Sequence, residues 1–253
     1  MPDPTILAHI TDVHCHPTDA PSGVPTESME RLQISICAMS TMQFDQEKVK
    51  ALASKYPDRV TPAFGYHPWF SHWISTEASL VGDQSLSNKE RHYKNLFLPP
   101  RSDPALIQEL MKLLPHLPEP VLLASILDTL RDNLSRFPNA MVGEVGLDRV
   151  FRVPVDYSAS PRVLTPFHIP LEHQIEILEA QISMALEMGR NVSLHSVRSQ
   201  LATVEVLDKL RKSLGEEKWR KISVDLHSCG LNKQTWMDLE VGEVFHGKHI
   251  TMI

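Results

Sequence analysis

The stretch Ile10-Thr11-Asp12-Val13-His14-Cys15-His16 alternates in side-chain character and ends in two histidines. Alternation of this kind predicts a β-strand in which Asp12, His14 and His16 point to the same face. Imidazole is the commonest side-chain metal ligand, and two rings spaced two residues apart on a strand converge on a common point. The stretch therefore predicts a metal-binding strand near the start of the chain.

The same pattern returns later in the sequence. Further short apolar runs also end in a residue able to bind a metal: Val60 to His67, Ala140 to Glu144, Asn191 to His195 and Lys221 to His227. In a (β/α)8 or TIM barrel, the carboxyl ends of parallel strands meet on one face, where different strands supply the active-site residues. The recurrence predicts an α/β fold of this barrel type with one shared site.

Composition limits the classes of protein and partner. The 253 residues have a net charge of -6 and a hydrophobic share of 42%, which predicts a sizeable core and no general attraction to nucleic acid or anionic membranes. Cys15, Cys37 and Cys229 form no Cys-x-x-Cys motif, which favours a reducing compartment, cytoplasmic or nuclear. The sequence indicates neither a signal peptide nor a membrane span.

Strand and helix signals alternate along the chain. We predict strands at Ile6 to His16, Ile34 to Ser40, Val60 to Tyr66, Met141 to Val145, Val192 to Leu194 and Ile222 to Leu226, and the start of a seventh at Ile250 to Ile253. We predict helices at Asp45 to Tyr56, Pro104 to Leu114, Val121 to Phe137, Leu171 to Met188 and Gln200 to Leu214. Such alternation predicts a parallel sheet. With strands seven and eight partial or missing, the barrel is expected to be incomplete.

Two long segments interrupt the alternation within what we predict to be a single barrel domain over residues 1–253. The first insertion, at about 70–120, carries a basic cluster from Lys89 to Arg101 that is interpreted as a solvated loop. Disorder is expected at Ser75 to Asn88, because long segments without periodicity are usually functional or disordered. The second insertion, at 149–170, is broken by prolines.

The motifs at the predicted strand ends resemble those of the TatD family of metal-dependent hydrolases. In chain order they are Asp12-Val13-His14-Cys15-His16, Gly65-Tyr66-His67-Pro68, Gly143-Glu144-Val145-Gly146-Leu147-Asp148, His195-Ser196 and His227-Ser228. The resemblance covers roughly residues 8–230 outside the insertions. It implies a deoxyribonuclease that uses two divalent metal ions, Mg, Mn or Zn, and acts on DNA or another phosphodiester.

Residue roles are implied by the same resemblance. The metal ligands are His14, His16, Glu144, His195 and His227, with Glu144 bridging the two ions. A carboxylate suits this position because its two oxygens carry several lone pairs. The catalytic residues are Glu144 and His67, and His67 is expected to donate a hydrogen bond to the phosphate.

Three aspartates near these ligands are expected to support them, and a further aspartate of the family is missing from this chain. Asp12 and Asp225, each two residues before a ligand, are expected to orient histidines, and Asp148 is expected to hydrogen-bond a ligand or cap a loop. The family's aspartate at the end of the eighth strand, a metal ligand and general base, has no counterpart, so the chain is expected to be C-terminally truncated. Val197 stands where the family often has arginine, and Arg198 follows it.

Other functional classes remain open. The missing aspartate is compatible with a catalytically impaired barrel that acts as a protein-interaction module through its insertions. A metal-dependent amidase or lactonase shares the histidine motifs, but it usually has a lysine where this chain has Glu144. The strand-end residues could also be buried polar groups that only hydrogen-bond in the core, an interpretation made weaker by their order at successive strands.

Overall fold

A computed structural model describes residues 4–19, 23–227, 230 and 250–252. Its helices are α1 Pro4–Leu7, α2 Thr26–Arg31, α3 Gln43–Lys55, α4 Asn88–Phe97, α5 Pro104–Leu113, α6 Leu123–Arg136, α7 Leu171–Met188, α8 Gln200–Leu214 and α9 Glu216–Arg220. Its strands are β1 Thr11–Cys15, β2 Ser35–Met39, β3 Val60–Phe64, β4 Ile74–Ser75, β5 Val121–Leu122, β6 Met141–Asp148, β7 Val192–Val197, β8 Val224–His227 and β9 Ile250–Met252. Ser228, Cys229 and Ile253, which belong to sequence predictions, lie outside the described residues.

The main sheet is parallel and strongly curled. Its strand order is β1-β2-β3-β6-β7-β8-β9, and each neighbouring pair is parallel. In a flat sheet β1 and β8 would lie about 24 Å apart, at about 4.8 Å for each step between neighbours. Instead, the ring of His14 on β1 stacks on that of His227 on β8, with centroids 3.7 Å apart. This curvature is that of a barrel wall, and it confirms the predicted α/β fold of an incomplete TIM-barrel type.

Most predicted elements of the sheet are found with shifted ends. The start of a seventh strand is confirmed for Ile250–Met252, which pairs in parallel with β8. The prediction of a strand from Ile6 is wrong in its first half, because α1 occupies Pro4–Leu7. The backbone N–H groups of His9 and Ile10 donate to the carbonyls of Ile6 and Leu7, which closes a turn and delays strand pairing until Thr11.

Helix α7 shows how the core is built. Leu178, Ile182 and Ala185 recur at helical spacing and are buried in the main hydrophobic cluster, where α7 packs on β6. The helix ends at Gly189, which adopts φ 62°, a left-handed conformation that glycine tolerates because it lacks Cβ. The predicted boundaries of α7 and α8 agree with the structure.

The two insertions pack together on a second hydrophobic cluster. Its buried members are Tyr93, Leu96, Phe97, Leu110, Leu113, Leu114, Leu117, Val153, Phe167 and Ile169. The prediction of a solvated loop from Lys89 to Arg101 is wrong, because most of this segment forms α4. The buried Arg91 guanidinium of this helix donates to the carbonyls of Leu80, Asp83 and Leu86. These hydrogen bonds also hold Ser75 to Asn88, the segment expected to be disordered, in a defined conformation.

In the described part of the chain, no helix combines the length and the apolar character needed to cross a membrane.

Candidate metal centre

Imidazole rings from four strand ends converge on one carboxylate. Glu144, on β6, is only 4% exposed. Its Oε2 lies 3.1 Å from His16 Nε2, and its Oε1 lies 3.4 Å from His195 Nδ1, 3.5 Å from His67 Nε2, 3.5 Å from His227 Nε2 and 3.6 Å from His14 Nε2. The structure thus brings together every side chain that the sequence predicted for the site.

Glycines allow the strands to approach closely enough for this cluster. Gly146 on β6 pairs with His195 on β7, and a Cβ built on Gly146 would lie 1.9 Å from the His195 carbonyl oxygen. Its φ of 155° is also a conformation that other residues rarely adopt. A Cβ on Gly65, after β3, would similarly lie 2.6 Å from the Gly143 carbonyl oxygen. Larger residues at either place would push the ligand-bearing strands apart.

Burial and mutual contacts set the protonation of the cluster. Burial raises the pKa of Glu144, but its close contacts with His14, His16 and His195 outweigh burial and hold that pKa below its usual value. Burial lowers the pKa of His67 to about 3 and that of His227 to about 4, so both rings are neutral near pH 7. A neutral ring keeps one nitrogen lone pair, as a metal ligand requires.

His14 is oriented through a serine that the sequence analysis missed. Its Nδ1 lies 3.1 Å from Ser193 Oγ, which in turn donates to Asp225 Oδ2 at 3.0 Å. Because the serine proton is directed to the aspartate, Ser193 accepts from His14 Nδ1–H and leaves the lone pair of Nε2 toward Glu144. Ser193 is two residues before His195 on β7, so strand periodicity places both on one face and could have identified it.

The two aspartates predicted to orient histidines differ in the structure. Asp225 does so, but it acts on His14 through Ser193. The prediction for Asp12 is wrong: Asp12 is exposed, and its carboxylate accepts from the backbone N–H of His14 at 3.1 Å. The pairing of β1 with β2 is irregular between Asp12 and Cys15, which interrupts the regular alternation of faces.

Asp148 has both of the roles expected for it. Its Oδ2 lies 3.4 Å from His195 Nε2 and accepts from Trp69 Nε1 at 2.7 Å. Its Oδ1 accepts from the backbone N–H groups of Val150 and Phe151 and so caps the loop after β6. Burial raises the pKa of Asp148, but its hydrogen bonds, first those with His195 and Trp69, lower it to about 2. An ionised Asp148 accepts from Nε2–H and directs the Nδ1 lone pair of His195 toward Glu144.

His67, unlike His14 and His195, turns its ring N–H toward Glu144. The backbone N–H of Trp69 donates to His67 Nδ1 at 3.1 Å, at the start of a 3₁₀ helix over Pro68–Trp73. Because Nδ1 is the acceptor, the neutral ring carries its proton on Nε2, which faces Glu144 Oε1 at 3.5 Å. His67 therefore presents a ring N–H to the site, while its donation to a phosphate stays a prediction.

The donor set is suited to divalent transition metals. Two groups have ligand atoms within 4.8 Å of one another, His14 with Glu144 and His227, and His67 with Glu144 and His195. His14 contacts His227 because the curled sheet stacks the ends of β1 and β8, and its Nε2 also lies 3.2 Å from His16 Nε2. Buried Nδ1 atoms of His16 and His195 have no hydrogen-bond partner within the described residues. Imidazoles around one carboxylate fit Zn, Mn or Fe better than Ca.

A cavity of about 700 Å³ gives access to the cluster. It is lined by four of the histidines and Glu144, by Thr18 and Asp19, by Thr41 and the start of α3, and by residues of both insertions, namely Trp69, Phe70, Tyr157 and Arg162. Arg198 is not among the lining residues. The volume of the cavity is within the range of about 300 to 1,000 Å³ that is usual for small-molecule sites.

The chain is similar in sequence to one protein family and to two yeast proteins. The sequence profile of the TatD related DNase family matches residues 11–237. The chain is 37% identical over 199 residues to the Cut9-interacting protein scn1 of Schizosaccharomyces pombe, covering 76% of this chain and 56% of that protein. It is 27% identical over 237 residues to an uncharacterized deoxyribonuclease of Saccharomyces cerevisiae, covering 89% and 68% of the two chains.

A solved structure of a TatD homolog from Escherichia coli aligns with 87% of this chain and 69% of its own, with a TM-score of 0.49 and 18% identity. The chain spans little more than half the length of the fission yeast relative, 56%.

Proposed function

The chain belongs to the TatD related DNase family, and on that premise we propose that it is a divalent-metal-dependent hydrolase of phosphodiester bonds in DNA. The observation that carries the proposal is the convergence of the five imidazoles on Glu144, at distances of 3.1 to 3.6 Å. The name of the budding yeast relative, a deoxyribonuclease, supports the same reaction class.

The proposed ligands are the groups whose lone pairs face one another. His14, His16, Glu144, His195 and His227 would hold two divalent cations, with Glu144 between them. His67 is left out of this set, because its Nε2 carries the ring proton. Divalent cations, when bound, would neutralise negative charge on a phosphodiester and make water more acidic.

The chain's own groups then have distinct tasks. Ser193 with Asp225 fixes the ring of His14, and Asp148 fixes the ring of His195, so both lone pairs are aimed before substrate arrives. His67 Nε2–H donates to a phosphoryl oxygen as negative charge grows there. Its ring is neutral because burial lowers its pKa to about 3, so this donation needs no change of protonation near pH 7.

Hydrolysis of bis(p-nitrophenyl) phosphate and of an oligodeoxynucleotide tests the proposal. The purified chain is assayed with Mn²⁺, Mg²⁺ or Zn²⁺ and again after treatment with a chelator. We expect metal-dependent turnover that Glu144→Gln and His195→Ala each lower at least about a hundredfold. Glu109→Gln, at a half-buried acid on α5, is the matched control. Equal rates for wild type and Glu144→Gln would refute the proposed function.

A protein-interaction role is the second candidate. The fission yeast relative is named for its interaction with Cut9. In this chain the first insertion carries a packed core and exposes Ile107 and Met111, one helical turn apart on α5. Single exposed apolar residues are normal, but a pair on one helix face offers a contact surface.

The interaction candidate has its own test. Purified Cut9 is titrated against the chain and against a variant with Ile107→Asp and Met111→Asp. Loss of binding in the variant, with its unfolding temperature unchanged, would support an interaction surface on α5. Absence of binding by the wild-type chain would reject this candidate and leave the hydrolase proposal untouched.

A further inference from the structure

One wall of the cavity carries an aromatic side chain that packing does not explain. Phe44, in the first turn of α3, is 75% exposed, the largest exposure of any large apolar side chain among the described residues. It lines the cavity that leads to Glu144. Exposure of an aromatic ring at this position is unfavourable for the free protein, so a ligand that covers the ring would stabilise the complex.

Lys48 lies beside this ring. Its Nζ is 5.3 Å from the centroid of the Phe44 ring and donates to the Thr18 carbonyl at 3.4 Å. Phe44 and Lys48 are four residues apart, so they share one face of α3. The start of this helix is fixed by Asp45, whose carboxylate accepts from the backbone N–H groups of Thr41 and Met42. The ring and the ammonium group are therefore presented by a rigid element.

Arg162 adds a second cation to the cavity, from the second insertion. It is exposed, and its Nε donates to the Tyr157 carbonyl at 3.0 Å, which fixes the stem of the guanidinium. For its terminal nitrogens, no hydrogen bond or ion pair is found with the described residues. Asp19 also lines the cavity, on the side of His16.

We propose that Phe44, Lys48 and Arg162 form a position for the nucleotide next to the scissile phosphodiester. The ring of Phe44 stacks on an unpaired base, and the two cations bind backbone phosphates. A ring with a neighbouring cation is the arrangement by which proteins hold single strands without sequence preference, because every base has a π face. This inference rests on the proposed function, since it extends the substrate of the same site.

Binding in the presence of a chelator tests the inference without turnover. A fluorescein-labelled oligothymidylate of about six nucleotides is titrated with the chain, and its anisotropy is followed. We expect Phe44→Ala to weaken binding about 5- to 150-fold, the range for loss of one stacked base. Phe44→Trp is expected to restore it. Leu201→Ala, at an equally exposed apolar residue that does not line the cavity, is the matched control.

An abasic strand of the same length isolates stacking from charge. Wild type and Phe44→Ala are expected to bind it with equal affinity, because no base is present to stack. Lys48→Ala and Arg162→Ala are expected to weaken binding of both strands and to reduce the salt dependence, by about 0.7 in the logarithmic slope for each lost phosphate contact. Lys112→Ala, an exposed lysine away from the cavity, is the charge control.

The outcomes separate this inference from the function on which it rests. Equal affinity of Phe44→Ala and wild type for the base-containing strand would overturn the inference, as would an equal loss on the abasic strand. If wild type hydrolyses bis(p-nitrophenyl) phosphate in either case, the proposed function stands while the nucleotide position fails. If no metal supports hydrolysis but the affinity differences are found, the nucleotide position stands and the proposed function fails.

Discussion

Divalent metal is expected to raise the unfolding temperature of this chain, and Glu144→Gln is expected to remove most of the increase. The carboxylate of Glu144 is within 3.6 Å of five imidazoles, so it would contact any cation held by them. A cation at a hundred times its Kd adds about 2.7 kcal/mol to the free energy of unfolding for each site. For a chain of this size, 1 kcal/mol corresponds to about 2–4 °C, so we expect an increase of about 5–11 °C for each occupied site.

The assay is thermal unfolding followed by circular dichroism while Mn²⁺ is titrated and then removed with a chelator. Each variant is compared with its own metal-free state, so that any direct effect of the substitution on stability cancels. Glu144→Gln keeps the size of the side chain but removes its charge, and Glu109→Gln controls for the loss of one negative charge elsewhere. An equal increase for wild type and Glu144→Gln, or no increase for wild type, would refute the reasoning from this cluster.

Three further predictions concern the groups around the site and the buried histidines of the insertion. Asp148→Asn should weaken metal affinity about 10- to 100-fold, measured by competition with a chelator, because His195 would no longer be held with its lone pair toward Glu144; unchanged affinity would contradict this. His67→Ala should lower kcat about 10²- to 10³-fold while keeping the metal-induced shift in unfolding temperature, and a variant that loses the shift would show that His67 is a ligand. Burial lowers the pKa of His72 to about 3 and of His92 to about 4, so their unfolded forms bind protons first as the pH falls below about 6.5. Stability present above pH 6.5 should therefore be lost on acidification, by about 2 kcal/mol for each ring at pH 5, and a urea midpoint that stays constant from pH 7 to pH 5 would oppose this.

Elements with a strong internal pattern were predictable. Helix α7 has apolar residues at helical spacing and a glycine stop, and its boundaries agree with the prediction. Helix α4 was not predicted, because its buried face is directed to a cluster formed with the second insertion. Its Arg91 is charged and yet buried, which is favourable only because three carbonyls of the segment just before the helix accept hydrogen bonds from its guanidinium.

In the site, too, some features were predictable from the sequence and others were not. The side-chain types were predictable, because strand periodicity and family motifs placed histidines and Glu144 at strand ends. Which nitrogen of His67 carries the ring proton was not predictable, because the backbone N–H of Trp69, at the start of a 3₁₀ helix, decides it by donating to Nδ1. The role of Ser193 depends on Asp225 from the neighbouring strand.

By itself, then, the sequence determined which residues carry metal-binding chemistry and that parallel strands would bring them to one face. Those facts follow from local periodicity, since successive side chains on a strand alternate between faces. Only the tertiary structure decided that His14 contacts His227 as well as His16, because the contact with His227 requires the sheet to curl and bring the first strand back toward β8. Curvature is the sum of twists and close approaches between strands far apart in the chain, so no short stretch contains it.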